Sequence, residues 1–562
     1  MASSFAAFYV AKSGIQAANY NLKVTGQNIS NVNTDGYTRQ RLDAYAVGSS
    51  GNNMRYANKN DLAIGEGVNC AGVSQLRDPY LDVRYRLEHA KVGQTGTELS
   101  TLNDLESVFD EVKTDGINTQ LTDLVKQLST LAGSPSDTSL ENIVKNSSLL
   151  LTKAFNNAAQ QLTEVRNQQT DSFKSDAIGT VNTLLQNIAH VNDEIKSSDV
   201  SGTPALELRD QRNSMLDELS QYVNIQISTK SVPIGANRTV DELSVNLVSA
   251  DGSKVNLVDS GKYNQFDVKL DSVSKQYKTD AGNLYATKDL HAAIFLTDSN
   301  GTEITDSSGN SLLTNDDVTS GVFGGYLSML NDEGEFDAVL PKTVGTPPNT
   351  ETSPALPSTT RGIGYYEKAL DKFAAEFANI MNTANSTNKT GDPNKPLFTT
   401  SDGSTSGITA DNISISKQWD TSVGSYMTAT KDETLPGVDN SKAGKNILYM
   451  VSLFSNKKTY TTASDNSGDG TTLFTTSLNS FISDISTTLG LQINTTGKQN
   501  DTYTSNITDV DTQRSAISSI DVNEEGINLI MFNQALTASS RFMTTMDEAL
   551  DTIINKMGVV GR

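Results

Sequence analysis

The residues of this chain that could do chemistry are few and scattered. Three histidines, His89, His190 and His291, stand far apart in sequence, and no His-Glu-x-x-His helix exists to hold a metal or activate a water. His190 falls inside a long helical stretch, where it is expected on a solvated or interhelical face. Cys70 is the only cysteine, so no intramolecular disulfide can form and no Cys-based metal or redox motif is present. Asp465-Asn-Ser-Gly-Asp-Gly470 opens like a calcium loop, but its twelfth position is Thr476, where a bidentate glutamate is required. It reads as a surface turn. Glu524 and Glu525 could form an acid and base pair. Preceding a long apolar repeat, they fit better as first-turn charges favoured by the helix dipole. No catalytic, cofactor-binding or metal-binding residue is assigned, and the chain is not expected to be an enzyme.

The elements that would carry any such site point to a different kind of activity. Hydrophobic residues make up 36% and aromatic residues 6% of the 562, with Trp419 the single tryptophan. That composition suits elongated modules that bury apolar stripes against neighbours. The net charge of −22 disfavours nucleic acid and anionic membrane surfaces as partners, because both need clustered Lys and Arg. Residues 1–50 depart from this balance, with Lys12, Lys23, Arg39 and Arg41 against Asp35 and Asp43. No run of about 18 apolar residues appears. The apolar stretch Phe5–Ala11 ends at Lys12 without a preceding basic residue or a cleavage site, so no cleavable signal peptide is expected. On these grounds alone the protein would be placed in the cytoplasm.

Both ends carry heptad repeats. Phe8, Ile15, Leu22 and Ile29 recur every seven residues, with Ala11, Ala18 and Thr25 offset by three. Leu529, Leu536, Met543, Leu550 and Met557 form one C-terminal row, and Phe532, Ser539, Met546 and Ile553 the other. Such seams predict coiled-coil helices, and neither helix can bury its stripe alone. Ordinary bundle packing would give the same pattern, but termini usually fray. Seams at both extremes therefore predict that the ends meet each other or other subunits, and that they are poorly ordered in the free monomer.

Between them, about 97–228 is predicted to be strongly helical, with one short helix through Leu121, Leu124, Leu128 and Leu131 stopped at Gly133-Ser134-Pro135, longer ones over about 138–198 and 204–223, and a further helix over about 363–385. Segments such as Leu243-Ser-Val-Asn-Leu-Val248, separated by turn clusters, predict an antiparallel β region. The expected partition is a core helix in 1–50 pairing with 515–562, a helical rod over 51–228, a β-rich insertion over 229–341, an exposed Pro/Thr-rich loop over 342–361, and a helix plus mixed region over 362–514. The fold class is α+β, elongated and multidomain.

The segments Ser13-Gly-Ile-Gln-Ala-Ala18 and Gln27-Asn-Ile-Ser-Asn-Val-Asn-Thr-Asp-Gly-Tyr-Thr-Arg-Gln40 resemble the N-terminal signature of flagellar axial proteins. Asp35 stands where that pattern usually has proline, and Asp-Gly still suits a turn with positive φ. Asn28, Asn31 and Asn33 could cap or end the first helix. The C-terminal Val522-Asn-Glu-Glu-Gly-Ile-Asn-Leu-Ile-Met-Phe-Asn-Gln-Ala535, continuing through Met546–Ile554, is more discriminating. It resembles the ending of the hook-associated protein 1 family, the first hook–filament junction proteins. Leu206–Arg212, Ser320–Leu327 and Pro396–Phe398 agree with it. The likeness is clear over 1–230 and 500–562 and faint between.

The resemblance implies a structural adaptor exported unfolded through the flagellar type III apparatus without signal cleavage, and located outside the cell in the flagellum. It implies self-association in a ring at the distal end of the hook, contacts with hook protein and a second junction protein, and an export chaperone on the C-terminal helix. The assembly interface would be Phe8, Ile15, Leu22, Ile29, Leu529, Phe532, Leu536, Met543, Met546, Leu550 and Ile553. The alternatives are another axial subunit of hook or filament type, or a surface adhesin that binds through its insertion.

Overall fold

The computed structural model describes residues 6–47, 65, 67–109, 116–235, 238–249, 252–278, 284–305, 309–337, 342–344, 351–353, 360–386, 395–462 and 471–553. Phe5, Ile554, Met557, the Asp465–Gly470 turn and most of the 342–361 loop lie outside them.

The N-terminal repeat forms α1 (Ala6–Ser30). The chain then turns at Gly36, whose φ of 76° favours a residue without a side chain. It continues as an antiparallel ribbon of β1 (Gln40–Ala46) and β2 (Val68–Gln75), with a bulge between Asp43 and Ala44. This ribbon corrects the expected purely helical start. Next come α2 (Pro79–Phe109), α3 (Ile117–Gly133) and α4 (Thr138–Asp171). Asp137 caps α4, accepting from the amides of Ser139 and Leu140. A π-helical segment, Ser172–Ile178, joins α4 to α5 (Gly179–Ser201) without a break, and α6 (Leu206–Tyr222) follows.

The strands β3 (Ile225–Gly235), β4 (Arg238–Val248), β5 (Lys254–Asp259) and β6 (Lys262–Tyr263) form an antiparallel meander. A long hairpin of β7 (Gln265–Lys278) and β8 (Leu284–Thr297) stands beside it. The next element, α7 (Gly321–Asn331), corrects the expectation of strand through this region. Its three glycines mimic a loop in sequence, yet packing on α2 and β8 holds them in a helix. The short pair β9 (Lys342–Val344) and β10 (Glu351–Ser353) precedes α8 (Ile363–Asn385).

The last third contains β11 (Phe398–Thr400) paired with β12 (Ile413–Ile415), then α9 (Lys417–Asp420) and α10 (Lys445–Leu453). After the pair β13 (Lys458–Thr461) and β14 (Thr472–Thr476) come two long helices, α11 (Leu478–Ser518) and α12 (Val522–Asp551). The expected mixed region is therefore helical from Leu478 onward. It lies along α2.

The core is continuous along the helical rod. Around α8, Phe373 stacks on Phe481 with centroids 4.7 Å apart, Phe155 meets Phe373 at 5.4 Å, and Phe377 meets Phe398 at 4.8 Å. All of these rings are buried. Such burial stabilises by about 1.5–3 kcal/mol for each large apolar side chain.

Asparagines fasten the strands to the helices. A side-chain amide carries the same donor and acceptor as a peptide group, so it can satisfy a strand edge that has no further strand beside it. Asn182 on α5 donates to the Phe266 carbonyl at 2.8 Å and accepts from its amide at 2.7 Å. Asn331 does the same for Ala292 on β8, and Asn382 for Phe398 on β11.

Candidate assembly interface

The two terminal helices pack on each other. Gly14 lies against Ser539, while the chain just past α1 reaches the first turn of α12, so the pair runs antiparallel. A Cβ at Gly14 would stand 2.9 Å from the Ser539 hydroxyl, so the two helices approach closely here. The small residues Ala11, Ala18 and Thr25 are buried along the contact. Phe8, Ile15, Leu22 and Ile29 are half-buried beside them, as are Phe532, Leu536, Met543, Met546 and Leu550 on α12. Leu529 and Ile553 are exposed. Glu525 is the only buried residue among those described in α12.

A face of α12 flanking this contact is also apolar. Ile527 is 67% exposed, Met531 51% and Phe542 44%, and Tyr9 and Tyr20 stand out from α1. Large apolar side chains left in water on a strongly acidic chain mark a contact surface. The pair alone covers only one face of each helix.

The base of the pair is clamped to the rod by a network that the sequence reading did not assemble. Arg39 donates from Nε to Glu525 at 2.8 Å and from its two terminal nitrogens to Glu524 at 2.7 and 3.1 Å. The Glu524 hydrogen bond leads the effects that hold the Arg39 guanidinium above the ordinary arginine range, against an opposing effect of burial. The Arg39 amide also donates to the Ser518 carbonyl at 2.9 Å, closing the gap between α11 and α12. Glu524 and Glu525 thus do more than favour the helix dipole, because a carboxylate buried like Glu525 needs a cationic partner.

One residue earlier, Thr38 gives both its amide and its hydroxyl to Asp210 on α6, at 3.0 and 2.6 Å. Burial pushes the Asp210 carboxyl up, opposed by those two hydrogen bonds and by Arg77. Asn28 accepts from the Gln40 amide and donates to the Gln40 carbonyl, both at 3.0 Å, and takes the Tyr37 hydroxyl at 3.1 Å. Burial raises the Tyr37 hydroxyl, with Glu207, Asp210 and Glu525 adding to it. Asn28 therefore ends α1 by reaching forward to β1. Asn31 donates back to the Gln27 carbonyl at 2.9 Å.

Below this clamp, Arg514 of α11 and Arg86 of α2 share Asp217 of α6, at 2.8 and 2.7 Å. Arg77 takes Asp82 at 3.0 Å, and Arg514 lies over the Tyr85 ring at 4.3 Å. Two clefts of ≈ 340 and ≈ 330 Å³ open beside it, both touching Gly36, Arg77 and Arg514. This polar layer is where three rod helices hand over to the terminal pair.

The chemically suggestive residues do not converge. His89 on α2 has Nδ1 2.9 Å from the Asp217 carbonyl, and burial lowers its pKa. His190 is a solvated side chain of α5 near Glu194, and His291 lies on β8. Cys70 is a free thiol on β2. Among the described residues no group of three His, Cys, Asp or Glu could hold a metal, and no helix is long and apolar enough to cross a membrane.

Residues 102–398 match the family described as "Flagellar hook-associated protein FlgK helical domain", over more than half of the chain. The chain belongs to the flagellar hook-associated protein FlgK family. Residues 8–38, which span α1 and the turn after it, match "Flagella basal body rod protein". Flagellar hook-associated protein 1 of Bacillus subtilis (strain 168) is 26% identical over 568 residues, covering all of both chains. The Escherichia coli (strain K12) protein of that name is 25% identical over 225 residues, 39% of each chain. A solved structure, the flagellar hook junction protein FlgK from Burkholderia pseudomallei, aligns over 57% of this chain and 45% of its own, with a TM-score of 0.37 and 18% identity. The hook-associated family is a structural one of the flagellum. The described residues of this chain combine long helices with several small antiparallel sheets, the α+β class the sequence implied.

Proposed function

We propose that this chain is a structural junction subunit of the bacterial flagellum, placed at the distal end of the hook to connect hook and filament. The single observation that carries the mechanism is the half-covered terminal pair. α1 and α12 cover one face of each other and leave Ile527, Met531 and Phe542 in water. Burying that face against neighbouring copies contributes about 25 cal/mol for each Å² of apolar surface removed from water. Assembly rather than intrachain folding is then the main source of stability for the terminal helices.

In this reading Phe8, Ile15, Leu22, Ile29, Phe532, Leu536, Met543, Met546 and Leu550 set the pairing, and Leu529 and Ile553 face neighbouring subunits. Copies close into a ring, with hook protein on one side and a second junction protein on the other. The segments 1–50 and 515–562 form the inner core, and the β-rich 229–341 region faces outward. The chain leaves the cell through the flagellar export route without signal cleavage, its C-terminal helix escorted by a chaperone. Its role is mechanical, with no catalytic step.

Deleting the gene in its source bacterium tests this. Electron microscopy is expected to show hooks without filaments, with filament subunits lost to the medium. Filaments of normal length and number would remove the junction role.

A further inference from the structure

The helix from Thr138 to Ser201 changes partners half-way along, and the π-helical segment marks the place. Upstream, Val144, Leu151, Phe155 and Leu162 are buried where α4 packs on α3, α8 and β12. Downstream, Val181, Leu185, Ile188 and Ile195 are buried where α5 packs on α6 and the strands β4 to β7. The two packing faces do not share one α-helical register.

Across the joint the buried positions are Gln169, Phe173, Ala177, Ile178 and Val181, and the row Gln169, Phe173, Ala177, Val181 steps by four residues each time. An α-helix turns about 100° per residue, so each four-residue step overshoots by about 40° and three steps by about 120°. In α geometry the second face would point a third of a turn away. The wider π turn of Ser172–Ile178 absorbs the extra residue and keeps both faces toward the core.

The inner side of that turn is a ring socket. Phe173 stacks on Tyr326 at 5.2 Å and meets Phe323 edge-on at 5.4 Å, both on α7. The outer side is unsupported. Lys174, Ser175 and Asp176 are exposed, and a Cβ at Gly179 would meet nothing within 4 Å. π turns are among the few identified causes of sharp helix bending.

We infer that Ser172–Ile178 is a built-in flexure of the rod, at which the α3/α4/α8 half swings relative to the half carrying α5, α6 and the β sheet, with Phe173 as the pivot. The inference is independent of the junction reading. It would let a long subunit accommodate neighbours that differ in stiffness or curvature by a small repacking of the continuous core around Phe173.

Spin labels report the swing directly in the full-length chain, made single-site by Cys70→Ser. One pair, Glu164→Cys with His190→Cys, spans the π turn about 40 Å apart along the helix. A control pair, Asn142→Cys with Glu164→Cys, lies within uninterrupted α4. The distance distribution across the π turn is expected to be at least about twofold broader than the control, by double electron–electron resonance. Deleting Ser175 removes the extra residue while leaving both faces in register, and is expected to narrow the spanning distribution to the control width. Equal widths in the two wild-type pairs would overturn the inference. So would a folded Ser175 deletion that stays as broad as wild type. If the deletion does not fold, the wild-type comparison alone decides.

Discussion

Arg39 binds Glu525 across 486 residues of sequence, Nε to Oε1 at 2.8 Å, and so ties the segment that follows the first helix to the beginning of the last. Arg39 is 18% exposed at its side chain and Glu525 3%, so the pair is shielded from screening on one side only. Arg39→Met strands a buried carboxylate and is expected to loosen the terminal pair by about 1–3 kcal/mol. Adding Glu525→Gln should recover part of the loss, because a neutral amide costs less to bury. Hydrogen exchange of the α12 amides measures both. Additive effects in the double variant would mean the contact contributes nothing.

The approach of Gly14 to Ser539 gives a steric test. Leucine has the higher helix propensity, so Gly14→Leu would strengthen an isolated α1. In the pair it has no room beside Ser539, and overpacking is expected to dominate. Exchange protection of α1 should fall by about tenfold or more. Unchanged or greater protection would show that the helices do not meet at this point.

How much of this was legible depends on where the signals lay. The apolar rows of α8 and the heptads of α1 and α12 show in the residues themselves, because each stripe repeats within a few turns. The Asp35-Gly36 turn shows for the same local reason. Helix α11 does not, because its threonines, Gly490 and Gly497 weaken any helical pattern, and packing along α2 overrides propensity. The clamp is invisible locally. Thr38 lies 172 residues from Asp210, and neither carries a motif that names the other. A charged pair in the first turn of a long apolar helix, in a chain whose N-terminal segment is comparatively basic, was the only available hint.

The buried carboxylate Glu141 gives an optical test of the rod. It accepts from the Trp419 indole at 3.1 Å, the Ser425 hydroxyl at 2.9 Å, and the amides of Tyr426 and Met427 at 2.9 and 3.1 Å. Glu141→Ala leaves those donors without an acceptor and is expected to cost about 2–4 kcal/mol. Trp419 is the single tryptophan, so its emission should shift to the red at lower urea than in wild type. An unchanged midpoint would remove Glu141 as the anchor of this loop.

The polar layer beneath the clamp predicts a pH dependence. Burial lowers the folded-state pKa of His89, with Asp217, Arg514, Tyr85 and Ser220 around it. The unfolded chain therefore takes up the proton first as pH falls through about 6.5. Stability should decline from there until the folded value is passed, and stay level above about pH 7.5. His89→Gln keeps an uncharged polar side chain and should flatten that part of the urea midpoint against pH curve. An identical slope in wild type and variant would assign the effect elsewhere.

The central claim is that the terminal seam builds the junction. Its most direct test is Met543→Asp in the full chain, expressed in place of the wild-type protein, with electron microscopy of the cells. Hooks without filaments and filament subunits in the medium are expected, while the purified variant keeps the buried emission of Trp419 and hence a folded rod. Cells bearing filaments of normal number and length would contradict it.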